Sequence, residues 1–171
     1  VKKEIWRDHR RPGRLFPDGV RACHGSYGRC GVPDQGVKRV KLFIGGAFQG
    51  KKKAAMERTG LSETDFLDGE SCTKEELLKG KAITHFHSCI RRILREEGEE
   101  AADAFAEELF RENPGLILVS TELGYGIVPM DPFDRLYREK VGRILCRAAE
   151  QADEVCRVVA GLPVCIKGEK A

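Results

Sequence analysis

The sequence predicts one α/β domain over residues 40–167, with a mainly parallel β-sheet and helices on both faces. Short apolar, β-branched segments alternate along the chain with longer segments of helical periodicity, which is the order expected for a parallel sheet. The segment 116–123, LILVSTEL, is apolar enough for a strand buried on both faces. No internal repeat or linker divides these residues, and their number is sufficient for one well-buried domain.

The first predicted elements surround a glycine-rich turn. VKLFI has the β-branched, apolar character of a strand and ends at Gly45, and the helix after the turn should be closed by Gly60. Thr73 is a typical cap for the second helical segment, KEELLKG. In order, the predicted elements are a strand at 40–44, a helix at 51–60, a short strand at 64–69, a helix at 74–80 and a strand at 81–87.

The remaining elements are separated by two turn signals. Asn-Pro-Gly at 113–115 ends a helical region, and the Gly/Pro-rich segment 124–132 follows the apolar strand. The last two segments are predicted to be neighbouring strands or a hairpin. In order, these elements are helices at 88–98 and 99–113, a strand at 116–123, a long helix at 133–152 and strands at 153–161 and 162–167.

Residues 1–39 differ in composition and are predicted to form a disordered basic arm. The first 40 residues carry ten Lys/Arg and four Asp/Glu, a net charge of +6, whereas residues 41–171 carry twenty and twenty-three, a net charge of −3. Six Gly and three Pro lie within the first 36 residues, without helical or strand periodicity. A flexible tail, or sequence read from an early start codon, is a simpler interpretation of this arm than binding to nucleic acid.

Hydropathy and cysteine usage favour a cytoplasmic protein without a membrane segment. No apolar run approaches the ~20 residues needed to span a bilayer, and the sequence does not start like a signal peptide. The seven cysteines lack C-x-x-C pairs, so most should be reduced packing residues. Cys23, His24 and Cys30 have the chemistry of metal ligands, but their irregular spacing gives a metal site little support.

The glycine-rich turn has the frame of a phosphate-binding loop, G-x-x-x-x-G-K, between a predicted strand and a predicted helix. Glycines let the backbone turn its N–H groups toward phosphate oxygens, and the positive end of the next helix adds to the attraction. Lys51 would reach the outer phosphates, unless the segment is only a turn with solvated lysines. The predicted nucleotide-binding residues are Gly45, Gly46, Ala47, Phe48, Gln49, Gly50, Lys51 and Lys52.

Lys52 departs from the phosphate-loop pattern, which has a Ser or Thr at this position to ligate Mg²⁺. An ammonium group cannot coordinate a cation, and it brings positive charge to the place of the metal. Lys52 therefore either substitutes electrostatically for the ion or marks a loop that no longer supports phosphoryl transfer.

Three further residues are candidates for catalysis because they follow predicted strands, where the sites of parallel sheets form. His85 and His87 are predicted to share one face at the end of a strand, as a nucleophile, a general base or a metal pair, or simply as packing residues. Glu122 would ligate Mg²⁺ or orient a water, or else pair with an arginine such as Arg143.

Four charged residues are weaker candidates. Asp68 and Glu70 are interpreted as solvated loop acids, and Arg138 and Arg143 as partners of acids rather than of a phosphate.

The carboxyl half of the chain carries an ordered series of motifs. They are T-E-L-G-Y-G-I-V-P at 121–129, R-x-x-x-G-R at 138–143, A-D-E-V at 152–155, and Gly161 followed by I-K at 166–167. In order and spacing, the series resembles the adenosylcobinamide kinase/adenosylcobinamide-phosphate guanylyltransferase family of cobalamin biosynthesis. That family's loop, G-G-A-R-S-G-K-S, also aligns with the predicted phosphate loop, so the resemblance covers about residues 40–167.

The resemblance implies a RecA-like P-loop fold, often a homotrimer, that uses ATP or GTP and Mg²⁺. It implies phosphorylation of the aminopropanol arm of adenosylcobinamide, followed by transfer of GMP to that phosphate through a histidine-linked intermediate. In these terms Lys51 would hold the phosphates and Glu122 would support the metal. His85 and His87 are the histidines left in the predicted domain for catalysis.

Departures from the family pattern leave two hypotheses open. Lys52 replaces the loop Ser and Phe48 replaces an Arg. DGESCTKEELLKGKA also stands where the family has H-x-x-x-R-P-x-x-W, the segment with the guanylylated histidine. The chain is therefore either an active kinase of adenosylcobinamide, with guanylyl transfer as a second activity, or a nucleotide-binding relative that has lost one or both activities.

Overall fold

The computed structural model describes residues 40–168. The predicted arm at 1–39, with Cys23, His24 and Cys30, lies outside the described residues, so its disorder and the domain division stay predictions. The described elements are β1 (Lys41–Ile44), α1 (Lys51–Thr59), a 3-10 turn (Glu63–Asp65), β2 (Phe66–Asp68), α2 (Lys74–Lys79), β3 (Ala82–Thr84), α3 (Phe86–Glu96), α4 (Glu99–Glu112), β4 (Ile117–Val119), α5 (Pro132–Gln151), β5 (Glu154–Val159) and β6 (Leu162–Lys167).

The six strands form one sheet in the order β2-β3-β4-β1-β5-β6. Every neighbouring pair is parallel except β5 and β6, which form an antiparallel hairpin. The predicted α/β class with a mainly parallel sheet is confirmed, as is the terminal pair of strands. Because β4 and β1 are adjacent, the chain segments that leave their carboxyl ends meet at the same edge of the sheet.

The two faces of the sheet bury separate apolar clusters, because successive strand side chains point to opposite faces. On one face, Leu42 and Leu118 pack in the larger cluster with residues of α2, α3, α4 and α5. On the other face, Phe43 and Val119 pack with Ala55 of α1. Helices therefore cover both faces, as predicted.

Local capping explains several element boundaries. Thr73 accepts a hydrogen bond from the Glu76 N–H, and the Glu76 carboxylate accepts one from the Thr73 N–H, so α2 begins with a reciprocal capping box as its sequence predicts. Gly60 ends α1 in a left-handed conformation. The apolar segment 116–123 is shorter as a strand than predicted, since β4 ends at Val119. Its buried residues still confirm a central strand.

The prediction that His85 and His87 lie on a strand is wrong. β3 ends at Thr84, His85 has a positive φ of 50°, and α3 begins at Phe86. The reason is the burial of Phe86, which is fully enclosed in the larger cluster together with residues three, four, seven and eight positions later. Buried residues at this spacing form one face of a helix. His85 is therefore the N-cap of α3 and His87 lies in its first turn, so the two histidines do not share one face of a strand.

None of the helices between residues 40 and 168 is both long and apolar enough to cross a bilayer.

Candidate functional site

The predicted phosphate loop connects β1 to α1 in a tightly constrained path. Gly45 has a φ of 151°, and a Cβ there would lie 2.4 Å from the carbonyl oxygen of Val158. Gly50 caps α1 with a φ of 79°, and its carbonyl accepts the N–H of Ala54 at 3.0 Å. Both positions therefore require glycine: the first for close approach to β5, the second for the turn into the helix. The side chain of Phe48, also at positive φ, is fully exposed at the loop tip.

Gln49 ties the loop to the hairpin turn between β5 and β6. Its carbonyl oxygen accepts the N–H of Gly161 at 3.1 Å, and its side-chain oxygen accepts the N–H of Ala160. Both turn residues have positive φ, at 50° and 82°. The loop is therefore held by an element 111 residues away in sequence.

The lysines of the loop are all engaged with neighbouring groups. The Nζ of Lys51 donates to the Gly46 carbonyl oxygen at 2.6 Å, so it lies across the inside of the loop. Burial lowers the pKa of Lys51, and the nearby carboxylate of Glu122 opposes this shift. Lys52 forms an ion pair with Glu63 at 2.7 Å, which holds the pKa of that carboxyl below its usual value.

The loop and the carboxyl ends of β3 and β4 enclose a cleft of about 300 Å³. Ser120 lies at its base, only 1% exposed, and its hydroxyl has no hydrogen-bond partner among the residues described. An unpaired buried hydroxyl costs roughly 1–3 kcal/mol, so a polar ligand in the cleft would recover that cost. The cleft is lined by Ala47, Phe48, Gln49, Gly50, Lys51, Lys52, Lys53, Thr84, His85, His87, Val119, Ser120 and Thr121.

A larger groove of about 1020 Å³ runs along α5 and reaches Glu122 and Tyr125. Its walls are mainly apolar, and it includes no residue of the loop from Gly45 to Lys53. The smaller cleft is therefore the better place for phosphate, because it is lined by the loop residues from Ala47 to Lys51 at the start of α1.

His87 is a neutral imidazole inside the cleft. Burial lowers its pKa to about 4, and the neighbouring side chains of His85 and Lys51 add to the shift. Its Nδ1 faces the N–H of Thr121 at 3.4 Å and therefore acts as an acceptor. This contact assigns the ring proton to Nε2, where it is a hydrogen-bond donor.

His85 lies at the cleft rim and contacts an acid from another strand. Its Nδ1 is 3.0 Å from Oδ1 of Asp68, at the end of β2. The two candidate histidines are close, with ring centroids 6.1 Å apart, but His87 is partly buried whereas the side chain of His85 is half exposed. They are therefore placed for different tasks.

Glu122 pairs with an arginine, but with Arg157 of β5 instead of Arg143. Its Oε2 accepts the Nε–H of Arg157 at 3.1 Å, and its backbone N–H donates to Gly45 at 3.0 Å. Arg157 also stacks on Tyr125, 5.0 Å from the ring centroid. Glu122 is thus fixed beside the phosphate loop by hydrogen bonds to Arg157 and Gly45.

The two candidate arginines of α5, Arg138 and Arg143, do not line the cleft. Arg143 pairs with Glu139 on the same helix at 2.6 Å, as expected of a partner of acids. Arg138 instead donates to the backbone carbonyl of Gly124, which helps to hold the glycine-rich segment.

Sequence reasoning missed Ser120 and Arg157. The sequence-based prediction placed Ser120 within the strand 116–123. Its position directly after the three apolar residues of β4 nevertheless marks the carboxyl end of that strand. Nothing in the sequence pairs Arg157 with Glu122, since they are 35 residues apart and the pairing depends on β5 lying beside β1.

The family model described as cobinamide kinase/cobinamide phosphate guanyltransferase matches residues 72–166. This match covers more than half of the chain, including Ser120, Glu122 and both histidines of the cleft. The chain belongs to this family.

Two curated relatives agree with the family. The chain is 43% identical over 63 residues to the bifunctional adenosylcobalamin biosynthesis protein CobP of Pseudomonas aeruginosa, covering 36% of each chain. It is 46% identical over 52 residues to CobU of Salmonella typhimurium, which carries the same description, covering 30% of this chain and 29% of the relative. The aligned part thus spans about a third of the length of these relatives.

Proposed function

We propose that the chain binds the phosphates of ATP or GTP in the cleft between the phosphate loop and β4. The observation that carries this proposal is the conformation of the loop, in which the backbone between Gly45 and Gly50 turns around the Lys51 side chain. The buried hydroxyl of Ser120, which has no hydrogen-bond partner among the described residues, lines the same cleft. A phosphate would take over the Lys51 contact now made to Gly46. Each charge-assisted contact of this kind contributes roughly 1.5–3 kcal/mol.

The reaction we propose is phosphorylation of adenosylcobinamide, as family membership suggests. The substrate hydroxyl oxygen would attack the terminal phosphorus, the bond from that phosphorus to its bridging oxygen would break, and the hydroxyl proton would pass to water. The products are a phosphate ester and a nucleoside diphosphate. Lys51 and the Nε2–H of His87 would donate to the phosphate oxygens, since positioning and charge stabilisation dominate phosphoryl transfer.

The donors at the usual Mg²⁺ position do not fit that ion. Lys52 supplies an ammonium group where the pattern has a hydroxyl, and its Nζ is paired with Glu63. Glu122, predicted as a metal ligand, has one carboxylate oxygen hydrogen-bonded to Arg157. Mg²⁺ at this position is therefore not part of the proposed reaction, and a metal role for Glu122 stays a prediction.

The alternative function is a nucleotide-binding relative without one or both activities. Lys52 favours it for phosphoryl transfer, and the replacement of the histidine segment favours it for guanylyl transfer. His85 or His87 would have to act as a displaced nucleophile for guanylyl transfer to survive. The neutral state of His87 leaves Nδ1 as its unprotonated nitrogen, and that atom already faces the Thr121 N–H.

Incubation with adenosylcobinamide and labelled ATP or GTP, followed by mass analysis of product and protein, tests these functions. The kinase predicts a phosphorylated corrinoid, and guanylyl transfer predicts a GMP adduct on the protein. Lys51→Ala should weaken nucleotide binding by more than about tenfold, because it removes a charge-assisted phosphate contact. Nucleotide binding without product would favour the nucleotide-binding relative that has lost catalysis. Unchanged nucleotide affinity in Lys51→Ala would mean that the loop is only a turn and does not bind phosphate.

Assembly and location belong to the same proposal. We propose a homo-oligomer, a trimer by resemblance to the family, and a cytoplasmic enzyme acting on nucleotide and corrinoid. Several large apolar side chains are exposed in one copy, which favours burial against further copies. They are Tyr125, Ile127, Val128, Met130, Val159, Leu162, Val164 and Ile166.

A further inference from the structure

Asp68, Glu70 and His85 form a cluster at the carboxyl ends of β2 and β3. Each residue offers one ligand atom, and these atoms all lie within 4.8 Å of one another. The Nδ1 of His85 is 3.0 Å from Oδ1 of Asp68. Two carboxylates and an imidazole are a donor set that suits first-row divalent cations.

The backbone builds this cluster through Gly69. Its N–H donates to the Thr84 carbonyl at 2.8 Å, which joins the β2 loop to the end of β3. A Cβ at Gly69 would lie 2.9 Å from the His85 carbonyl oxygen and 3.0 Å from that of Thr84. The contact therefore requires glycine, and it brings the acids on both sides of Gly69 up to the imidazole.

Further hydrogen bonds fix the two acidic residues. Asp68 Oδ1 also accepts the N–H of Glu70 at 3.0 Å, and the Glu70 carbonyl accepts from Arg92 at 3.2 Å. The Asp68 and His85 side chains are 44% and 51% exposed, so an ion and its water ligands have access. The cluster is preorganised by its backbone and open to solvent.

The cluster adjoins the proposed phosphate cleft, because His85 lines both. The same cleft contains Ser120, whose buried and unpaired hydroxyl independently indicates a polar ligand there. A cation at the rim would meet phosphate oxygens of such a ligand. At the usual metal-ligating position of the loop stands Lys52, whose ammonium group is paired with Glu63 at 2.7 Å and cannot ligate a cation.

We propose that Asp68, Glu70 and His85 bind a divalent first-row cation such as Mn²⁺, with water or nucleotide phosphate oxygens completing its coordination. The site lies on strands β2 and β3 instead of at the phosphate-loop hydroxyl position. The participation of nucleotide rests on the proposed function, whereas binding of the cation to the protein alone does not.

Mn²⁺ is the probe for this site, because its bound and free forms are distinguished by electron paramagnetic resonance. The full chain should bind one Mn²⁺ without nucleotide, and substoichiometric Mn²⁺ should broaden the His85 ring signals most strongly in NMR spectra. Asp68→Asn, Glu70→Gln and His85→Asn should each weaken binding by at least about tenfold, since even residues that only orient ligands contribute 10–100-fold. Asn is suited to the positive φ of His85, and Glu57→Gln, an exposed acid on α1, is the matched control.

Equal Mn²⁺ affinity in the wild type and all three variants would overturn the proposal, as would broadening centred away from His85. ATP binding measured without metal separates the two proposals. If ATP binds and Mn²⁺ does not, the metal site is wrong and the nucleotide cleft stands. If Mn²⁺ binds as described and ATP does not, the metal site stands and the proposed function is wrong. Unchanged thermal unfolding of Glu70→Gln, whose side chain is exposed, would show that a loss of Mn²⁺ is not a loss of fold.

Discussion

Lys52 replaces a neutral metal-binding hydroxyl with a charged side chain that has its own partner, Glu63. The substitution Lys52→Ser would restore the hydroxyl and remove one positive charge from the cleft. We expect nucleotide binding to become more dependent on Mg²⁺, because the ion would then be needed to neutralise the phosphates. Calorimetric titrations of ATP and GTP with and without Mg²⁺, for wild type and variant, measure this dependence.

Lys53→Ser is the matched control for Lys52→Ser, since it removes the same charge from the next residue, which is exposed and paired with Glu57. Similar behaviour of the two variants would mean that only net charge matters. A wild-type protein that binds only the Mg²⁺ complex and phosphorylates adenosylcobinamide rapidly would contradict the interpretation of Lys52 as a mark of lost catalysis.

His87 should make the folded state sensitive to acid. Burial lowers its pKa from the ordinary 6.5 to about 4, so the folded protein resists protonation while the unfolded chain accepts it. The unfolded state therefore binds more protons between pH 6.5 and 4, and stability decreases as the pH falls through this window. His87→Gln should flatten this part of the profile, as measured by thermal unfolding from pH 7 to 4.5.

The comparison of wild type with His87→Gln isolates this one group, because the carboxylates that titrate near pH 4 are common to both proteins. Parallel stability profiles over the whole range would show that His87 is as readily protonated in the folded protein as in the unfolded chain.

At the scale of elements, the phosphate loop depends on the β5–β6 hairpin through Gln49. Gln49→Ala removes the side-chain acceptor for Ala160 but leaves the backbone bond to Gly161. A hydrogen bond of this kind contributes about 0.5–1.5 kcal/mol, so nucleotide affinity should fall about 2- to 10-fold if the bond holds the loop in its binding conformation. Titration of ATP measures the loss, with Gln151→Ala, an exposed position at the end of α5, as the control.

Hydrogen exchange at Ala160 and Gly161 connects an affinity change to the hairpin. Faster exchange at these two amides should accompany weaker binding in Gln49→Ala. Weaker binding with unchanged exchange would instead indicate that Gln49 acts on the nucleotide directly.

The order of elements was predictable because periodicity and caps are local properties. Thr73 and Gly60 mark their helix boundaries, and the apolar segment before Ser120 marks a central strand. The boundary at His85 was missed because KAITHFH alternates like a strand, whereas the buried position of Phe86 depends on packing with Phe110 of α4. Tertiary contacts decided that boundary, and local pattern could not reveal it.

At the scale of the whole molecule, strand order determines which predicted residues form a site. The phosphate loop follows β1, and Ser120 and Glu122 follow β4. Arg157 lies on β5, directly opposite Ile44 of β1. Because these three strands are neighbours, the groups meet in space. In the sequence, 113 residues separate Ile44 from Arg157. The chemistry of the loop could therefore be predicted from the sequence, whereas the residues that contact the loop are determined by the strand order of the sheet.

The exposed apolar side chains give the last prediction, which concerns assembly. β6 is an edge strand that pairs with β5 in the described chain, and Leu162, Val164 and Ile166 alternate along it while remaining 70%, 54% and 61% exposed. Burying one such side chain contributes roughly 1.5–3 kcal/mol, so assembly through this strand would be weakened about tenfold or more by Val164→Lys. We expect light scattering after size-exclusion chromatography to give the mass of three chains for the wild type and smaller species for this variant. Gln151→Lys adds the same charge at an exposed helix end and should keep the wild-type mass. A monomeric wild type would contradict the proposed trimer, and a trimer unaffected by Val164→Lys would place the contact elsewhere on the surface.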